Sequence, residues 1–333
     1  MDINKIDISK IEEYKILSPS SKRSAVILNY GCILKKFCIM LTNGEKFNCV
    51  LSHRTAKEYV KDEKTYMGAF VGRFCGRIKD SRFKIGDKEY TLTPNDGTSH
   101  LHGVLSRVIF NLKKHTSNEV VLEYDSPSGE DGFPGNIHIE VQYVFEGETL
   151  VFIVTALSDE DTVFAPANHT YFTLSHTPVA AIFKSTLEMN ATSFYEINDD
   201  LLKTGERIYL TDYPEMDFRM RRSLSELAAG LFETPQIITG RGLDHTFHFR
   251  EKPLITLENS RLKLDITSSE KNIHVYSGGS LHNSNSYDET GNKISCFAGI
   301  AFESDIMGEK LNPNIIRKGE KFITFTSWFI DEK

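Results

Sequence analysis

Polar and apolar residues alternate along much of this chain, and the dominant period is two. In the stretch 136–145, NIHIEVQYVF, every second residue from Ile137 onwards is apolar. Such alternation is typical of strands with one buried face. A second apolar stretch, 148–158, follows directly after Glu146 and Gly147, so we predict a β-hairpin at this point.

The stretch 83–92, FKIGDKEYTL, predicts another hairpin, because Gly86 and Asp87 separate two short alternating runs. Capping boxes predict two short helices, one starting from Thr55 and one from Ser223. Further strand-like stretches lie at 119–126, 261–267 and 321–330.

Together these elements predict an all-β protein. Strands this numerous must stack or close to cover their edges, so we expect a large antiparallel β-sandwich with a few short helices. No repeat, low-complexity tract or linker marks a domain boundary. We therefore predict a single domain over residues 1–333.

Composition and charge narrow the range of partners. The chain has 333 residues, of which 40% are hydrophobic and 26% are charged, as in an ordinary globular protein. Its formal net charge is −7, and Lys and Arg form no basic stripe. Binding to a nucleic-acid backbone depends on such clustered cations, so we do not expect a nucleic-acid partner.

The sequence also predicts a cytoplasmic protein without membrane contact. The N-terminal stretch 1–17 mixes charged and apolar residues and lacks the apolar core of a secretory signal. No stretch approaches the roughly 18 consecutive apolar residues of a membrane helix. The cysteines contain no CxxC pair, which favours reduced thiols over a disulfide framework or a zinc knuckle. They are Cys32, Cys38, Cys49, Cys75 and Cys296.

Several common catalytic signatures are missing from the sequence. It has no Walker loop and no GxGxxG, GxSxG or HExxH motif, so nucleotide cofactors and the familiar serine-hydrolase and zincin mechanisms lose their main support. Instead, compact polar clusters interrupt the apolar strands. They lie at 72–80, 95–104, 166–175, 242–247 and 299–305.

The cluster 95–104, NDGTSHLHGV, places two histidines behind a tight turn. On an extended strand, His100 and His102 would project to the same face. Three interpretations are open at this point: a metal site, an acid/base site, or a strand end with a solvated histidine.

Other clusters carry groups suited to proton transfer or to binding. His169 lies at the start of an apolar strand, either as a functional group or as a core histidine bonded to a backbone carbonyl. Glu303 shares a strand face with Ala301, whose small side chain leaves room for a ligand. A carboxylate in such a strand must be paired or hydrogen-bonded. Asp244 has a similar character, and Arg77 offers either a fork of donors or a solvated charge.

In this order and spacing, the clusters resemble the aldose 1-epimerase family, the galactose mutarotases. The resemblance covers the chain from about residue 66 to 305, and the closing stretch KGEKFITFTSWF is similar to the family's last strand. Each segment is weak alone, but six in register form a specific signal. The segments are GRFCGRI, TSHLHGV, NHTYFTL, LDHTF, HVYSGG and FESD.

The resemblance implies a β-sandwich of galactose-mutarotase type, with a monosaccharide site in a cleft on one sheet and with neither a metal nor an organic cofactor. It implies an isomerase that interconverts α- and β-anomers of galactose- or glucose-type aldohexoses. Glu303 would be the base and His169 the acid, while His102 would bind the ring-side oxygens or share the acid role. The implied substrate-binding residues are Arg77, Asp244, His274 and Tyr171.

The chain departs from the family pattern near this site. Gly76 replaces an Asn, Val104 a second Gly, His274 a substrate-binding Gln, and Asp305 another Gln. The proton-transfer groups are intact, so these departures bear on the choice of sugar more than on the chemistry.

Three alternatives stay open on the sequence alone. A cupin-like metal-dependent enzyme would use His100, His102 and His169 as ligands. A non-catalytic sugar-binding module of the same fold would need only the cleft. An epimerase for phosphorylated hexoses would need more cations than Arg73 and Arg77 supply. The sequence carries no signal for an oligomeric state.

Overall fold

The computed structural model describes residues 6–230, 233–281, 287–307 and 313–333. Strands dominate it. In the first half of the chain they are β1 (Glu13–Leu17), β2 (Arg23–Leu28), β3 (Leu34–Met40), β4 (Lys46–Asn48), β5 (Phe70–Val71), β6 (Arg77–Ile78), β7 (Arg82–Ile85), β8 (Lys88–Thr91), β9 (His100–Leu101), β10 (Asn111–His115), β11 (Glu119–Ser126), β12 (Ile137–Glu146), β13 (Thr149–Ser158) and β14 (Thr162–Val163).

The second half continues the same pattern. Its strands are β15 (Ala167–Asn168), β16 (Tyr171–Phe172), β17 (Thr186–Met189), β18 (Ser193–Ile197), β19 (Lys203–Tyr209), β20 (Arg222–Ser223), β21 (Asp244–His248), β22 (Ile255–Glu258), β23 (Leu262–Ser268), β24 (Asn272–Tyr276), β25 (Ile300–Ser304), β26 (Ile315–Ile316) and β27 (Lys321–Glu332). The α-helices are α1 (Ala56–Lys61), α2 (Ser225–Gly230) and α3 (Pro235–Gly240). At six residues each, these described helices are far too short to span a bilayer.

Two large antiparallel sheets organise the described chain. The nine-stranded sheet has the order β10-β11-β12-β13-β27-β23-β22-β17-β20, and the six-stranded sheet has the order β16-β25-β24-β21-β18-β19. Strands β1 to β4 form a further sheet in sequence order, and β1 contacts β11 and β12. Short pairs complete the fold: β5 with β15, β6 with β9, β7 with β8, and β14 with β26.

The two large sheets share one hydrophobic core, which confirms the predicted antiparallel sandwich. Ile139 and Val141 on β12 contribute to this core from the nine-stranded sheet, and Ile273 and Val275 on β24 contribute from the six-stranded sheet. Because successive side chains alternate between faces, the residues between and after them on β24 point away from the core. That outer face of the six-stranded sheet is where the polar clusters gather.

Both predicted hairpins are present. Residues Gly86 and Asp87 connect β7 to β8, as expected. The β12–β13 turn consists of Gly147 and Glu148, one residue later than predicted, because Glu146 still pairs with Thr149.

The two predicted helix starts differ in outcome. At α1 the capping box is complete, since Thr55 and Glu58 exchange side-chain-to-backbone hydrogen bonds. At α2 the prediction is wrong in position. Ser223 ends strand β20, where it pairs with Thr186, and the helix begins at Ser225, one residue later than a box at Ser223 requires. The Ser223 hydroxyl instead accepts a hydrogen bond from the Ser225 N–H at 3.3 Å.

Candidate active site

A cavity of about 630 Å³ lies over the outer face of the six-stranded sheet. Its other walls include loops from the first third of the chain, the loop before β16 and the connection between β18 and β19. All of the predicted site residues line it: Arg77, His102, His169, Tyr171, Asp244, His274 and Glu303.

Strand register places the residues of the sheet wall side by side. His274 on β24 is the direct cross-strand neighbour of Glu303 on β25 and of Thr246 on β21. Asp244 and Glu303 therefore project from the same face as His274, because residues two apart and residues directly opposite share a face. Ala301 lies on this face as well, as the sequence suggested, and it pairs with Tyr276.

The loops around β6 and β9 form the wall opposite the sheet. Strand β6 pairs with β9, and the backbone then turns sharply, with positive φ angles of 62° at His102 and 65° at Gly103. A Cβ on Gly103 would lie 2.1 Å from the Gly72 carbonyl oxygen, so only glycine fits there. The tight loop sets the His102 ring at the cavity wall.

The structure brings His169 and Glu303 into direct proximity. His169 Nε2 lies 3.5 Å from Glu303 Oε1, and the two side chains are 5% and 2% exposed. The backbone of His169 is fixed, because its N–H donates to the Ala69 carbonyl at 2.8 Å. Nδ1 of His169 has no hydrogen-bond partner among the described residues, which leaves this buried nitrogen available for a ligand or for water.

His102 is held as a neutral hydrogen-bonding group. The Gly76 N–H donates to His102 Nδ1 at 3.2 Å, so Nδ1 is an acceptor and Nε2 carries the proton. Burial, together with the nearby positive groups His169 and Arg77, lowers the pKa of His102 well below its ordinary value. The rings of His102 and His169 are perpendicular, with centroids 5.1 Å apart.

Aromatic rings surround His169. The Tyr171 ring lies 4.9 Å from the His169 ring, and Tyr66 and Tyr276 lie within 6.4 Å of it. The Tyr171 hydroxyl donates to the Thr65 carbonyl at 3.0 Å, so Tyr171 presents its ring rather than its hydroxyl to the cavity.

Cys75 also contacts the carboxylate of Glu303. Its thiol donates to Glu303 Oε2 at 3.1 Å. Burial and the charge of Glu303 raise the pKa of the Cys75 thiol well above its ordinary value, so the sulfur keeps its proton.

His274 belongs to a charged chain along the sheet wall. Its Nε2 lies 2.9 Å from Asp244 Oδ1, and its Nδ1 lies 3.2 Å from Thr246 Oγ1. The Thr246 hydroxyl donates to Asp305, so its oxygen must accept from His274, and both ring nitrogens of His274 then act as donors. Asp305 in turn pairs with Lys203.

The pKa values of this pair agree with an imidazolium–carboxylate contact. Burial lowers the pKa of His274, but the hydrogen bond to Asp244 and its charge outweigh burial and raise the pKa above 6.5. Burial raises the pKa of Asp244, but the hydrogen bond from His274 and its charge outweigh that and lower it below 3.8.

The two arginines of the cluster 72–80 have different positions. Arg77 lines the cavity and donates from Nε to Asp96 Oδ2 at 2.7 Å. Arg73 is 1% exposed and donates to backbone carbonyls and hydroxyls away from the cavity, among them Ser126 and Pro134. Arg73 is therefore structural and does not contribute to a phosphorylated-hexose site.

His100 does not join the site, so the expectation that both histidines could share a face is wrong. Strand β9 ends at Leu101, and the positive φ of His102 breaks the alternation. His100 Nδ1 lies 2.7 Å from the Thr93 carbonyl, and Nε2 lies 3.1 Å from Asp131. The trio required by the cupin-like alternative is not assembled.

A different trio could reach a metal ion. Cys75, His102 and Glu303 each offer one ligand atom, and these atoms lie within 4.8 Å of one another. However, the Gly76 N–H occupies the only lone pair that the His102 tautomer offers. This arrangement suits a hydrogen-bond donor to a ligand better than a metal ligand.

Several residues of the cavity wall were not predicted from the sequence. Tyr276 could have been predicted, because it lies two residues after His274 on the same strand and therefore shares its face. Cys75, Thr246 and Lys203 carried no signal, since a lone thiol, hydroxyl or amine acquires its role only through neighbours that are distant in sequence.

Comparison with known proteins decides the family. The sequence model of the aldose 1-epimerase family matches residues 15–319. The chain belongs to the aldose 1-epimerase family. Galactose mutarotase from Sus scrofa is 27% identical over 318 residues, which cover 91% of this chain and 90% of that protein. Aldose 1-epimerase from Haemophilus influenzae is 28% identical, and the match covers 75% and 74%.

A solved structure agrees with this assignment. The GalM/aldose epimerase homologue from C. elegans has a TM-score of 0.86 and 25% identity, with 97% of this chain and 99% of that chain covered. The predicted family, the galactose-mutarotase type of sandwich and the isomerase class are thus confirmed for this aldose 1-epimerase family member. The roles of individual side chains remain predictions.

Proposed function

We propose that this chain interconverts the α- and β-anomers of galactose- or glucose-type aldohexoses by opening and closing the pyranose ring. The observation that carries the proposal is the buried contact of His169 with Glu303, 3.5 Å apart, in a cavity large enough for a hexose. Anomer exchange requires one proton to leave the C1 hydroxyl and another to reach the ring oxygen O5. Both oxygens are attached to C1, so an acid and a base close together suit this chemistry.

In the proposed mechanism Glu303 is the base and His169 is the acid. Glu303 accepts the proton of the C1 hydroxyl while His169 gives a proton to O5. The C1–O5 bond breaks and C1 becomes an aldehyde carbon. After rotation about C1–C2, O5 attacks the other face, returns its proton to His169, and the new C1 hydroxyl takes its proton back from Glu303.

His102 serves as a neutral hydrogen-bond donor to the ring-side oxygens. Its Nε2 carries the proton because the Gly76 N–H fixes the tautomer, and a ring whose pKa is lowered by burial and by neighbouring positive groups is a poor source of acid. The acid role therefore falls to His169 rather than being shared.

Hydroxyl recognition falls to the polar side chains of the cavity wall. Arg77 and Asp244 supply donors and acceptors, while the paired Asp96 holds Arg77 in place and His274 holds Asp244. Tyr171 contributes an apolar ring face. We further propose that the substrate is a neutral monosaccharide, because Arg77, Lys203 and His274 on the wall are each paired with a carboxylate.

A polarimetric assay on freshly dissolved α-D-galactose and α-D-glucose tests the proposal. Each proton transfer contributes about 10²–10⁴-fold, so Glu303→Gln and His169→Asn should each cut the rate at least about a hundredfold. Circular dichroism should show both variants folded. A folded Glu303→Gln variant that equilibrates the anomers at the wild-type rate would refute the assignment, and a silent wild-type enzyme would favour a non-catalytic sugar-binding module.

A cytoplasmic location is also part of the proposal. Cys32, Cys38, Cys49 and Cys75 are buried as reduced thiols, which is usual in a reducing compartment. Fractionation of the source cells followed by immunodetection tests the location. Recovery of the protein in the membrane or exported fraction would contradict it.

A further inference from the structure

The carboxylate proposed as the base faces His169 and accepts a hydrogen bond from Cys75. Glu303 is 1% exposed, and its Oε2 accepts the Cys75 thiol at 3.1 Å while Oε1 faces His169 at 3.5 Å. No other described residue lies within hydrogen-bonding distance of its oxygens. A buried carboxylate without such contacts would be strongly disfavoured, so the thiol matters for the orientation of Glu303.

The backbone holds Cys75 rigidly on both sides. The Cys75 N–H donates to the Ala165 carbonyl at 2.8 Å, and the next N–H, that of Gly76, donates to His102. The Cys75 side chain packs with Val71 and Ala167 in a small buried cluster. The thiol therefore has a fixed position relative to Glu303, although the two residues are 228 positions apart in sequence.

The chemistry of a thiol suits this place. Since burial and the neighbouring carboxylate keep the sulfur protonated, Cys75 can only donate to Glu303. An S–H group is a weak donor, so it orients the carboxylate while withdrawing less of its basicity than a hydroxyl would.

We propose that Cys75 is a positioning residue that holds Glu303 in the orientation needed to take the C1 proton and leaves it basic. This inference rests on the function proposed above. The titratable and charged groups that face this contact from the surrounding elements stay unchanged in the variants below. They are His102, His169, Tyr171, His274, Lys203 and Asp305.

The test compares pH–rate profiles of the wild type with those of Cys75→Ser and Cys75→Ala. The base must be ionised, and a donor favours the ionised form. Loss of the donor in Cys75→Ala should therefore move the acidic limb of kcat/KM to higher pH by about 0.5, and the stronger donor in Cys75→Ser should move it to lower pH. We expect kcat to fall about tenfold in Cys75→Ala and to recover to within about threefold in Cys75→Ser, with KM nearly constant.

Shifts of the acidic limb of kcat/KM in opposite directions in Cys75→Ala and Cys75→Ser distinguish a positioning role from simple packing. Limbs that stay in place, or that move in the same direction in both variants, would overturn the proposal. Cys296→Ser is the matched control, because Cys296 is half-buried and does not line the cavity. It should keep the wild-type profile.

An infrared measurement makes the contact testable without activity. The S–H stretching band of Cys75, obtained by subtracting the Cys75→Ala spectrum, should move to higher wavenumber in Glu303→Gln, because an amide oxygen accepts more weakly than a carboxylate. If the wild type is active but the S–H band has the same wavenumber in Glu303→Gln, the positioning role is refuted and the proposed function is not. A wild type without epimerase activity would refute the proposed function, and this role with it, even where the band reports the contact.

Discussion

At the scale of single residues, the main peculiarity of this site is a charged His274 where the family pattern has a neutral Gln. Both of its ring nitrogens act as donors, one to Asp244 and one to Thr246. The ring is thus committed to a protein network instead of being free to turn between donor and acceptor roles. This contact orients Asp244. We infer that Asp244, and not His274, binds the sugar, because its second carboxylate oxygen is not used by His274.

The charge of His274 makes the stability of the fold depend on pH. The pKa of this residue is raised above 6.5 in the folded chain, chiefly because the contact with Asp244 outweighs burial. A raised folded pKa contributes stability that is complete below pH 6.5 and is lost as the pH rises through the folded pKa. Asp244 stays ionised throughout this window, since its own pKa lies below 3.8.

We therefore expect the stability advantage of the wild type over His274→Gln to decrease as the pH is raised from about 6 to about 9, because glutamine does not titrate and the two proteins share all other titrating groups. Urea denaturation of both proteins at several pH values measures the difference. Equal pH dependence in the two proteins would mean that His274 is not charged in the native state.

The sequence predicted those site residues whose own side chain is unusual at its position. Glu303 and His169 could be predicted because a carboxylate and an imidazole in apolar strands are unusual in themselves, and the structure brings them together. The tautomer of His102 could not be predicted, since it depends on the N–H of Gly76. Gly76 has a positive φ of 91°, a conformation that glycine adopts without strain.

At the scale of elements, the site depends on strand register on one wall and on tight loops on the other. Register follows from the hydrophobic alternation of β24 and β25, because a shift by one residue would bury His274 and Glu303 in the core. The loop wall has no such periodic constraint. It depends on Gly103, which fits against Gly72 where no other residue would.

Two glycines on either side of β9 provide a matched test. Gly97 and Gly103 have similar positive φ angles, 59° and 65°, but a Cβ on Gly97 would meet nothing within 4 Å. We expect Gly97→Ala to cost about 1 kcal/mol of stability from backbone strain alone. Gly103→Ala should cost about 2–4 kcal/mol, because it adds a clash with backbone.

Gly103→Ala should also lower kcat/KM in its remaining folded fraction, since the His102 ring would be displaced, whereas Gly97→Ala should keep the wild-type value. Urea denaturation and polarimetry measure the two effects. If both substitutions had the same effect on stability and rate, the close approach of Gly103 to Gly72 would not matter for the site.

At the scale of the whole molecule, local alternation predicted the strands and their antiparallel pairing, but not the order of the sheets. Sequential hairpins such as β12–β13 follow from turn chemistry. The placement of β27 between β13 and β23 does not, because strands far apart in sequence meet only when a shared core is assembled. The prediction of a single domain over 1–333 stays a prediction.

Arg73 shows how the sandwich and the site loop are joined. It is fully buried, and it donates to carbonyls of Pro127, Pro134 and Gly135 and to both oxygens of Ser126. Burial lowers its pKa to about 10, so it remains charged at neutral pH. Its guanidinium thus ties the loop that carries Cys75, Gly76 and Arg77 to the end of β11 and to the segment that leads into β12.

Arg73→Lys should therefore be a severe change despite keeping the charge. An ammonium group has three donors and lacks the planar fork of a guanidinium, so several buried carbonyls would lose their partner. We expect a loss of at least about 3 kcal/mol in the free energy of unfolding, together with a lower kcat/KM because the loop loses its anchor. Arg54→Lys, at an exposed position outside the cavity lining, is the control and should change neither quantity. Urea denaturation and polarimetry decide the matter: an Arg73→Lys protein as stable as the control would show that the carbonyl cluster finds other donors, and that the loop holds its place without the guanidinium.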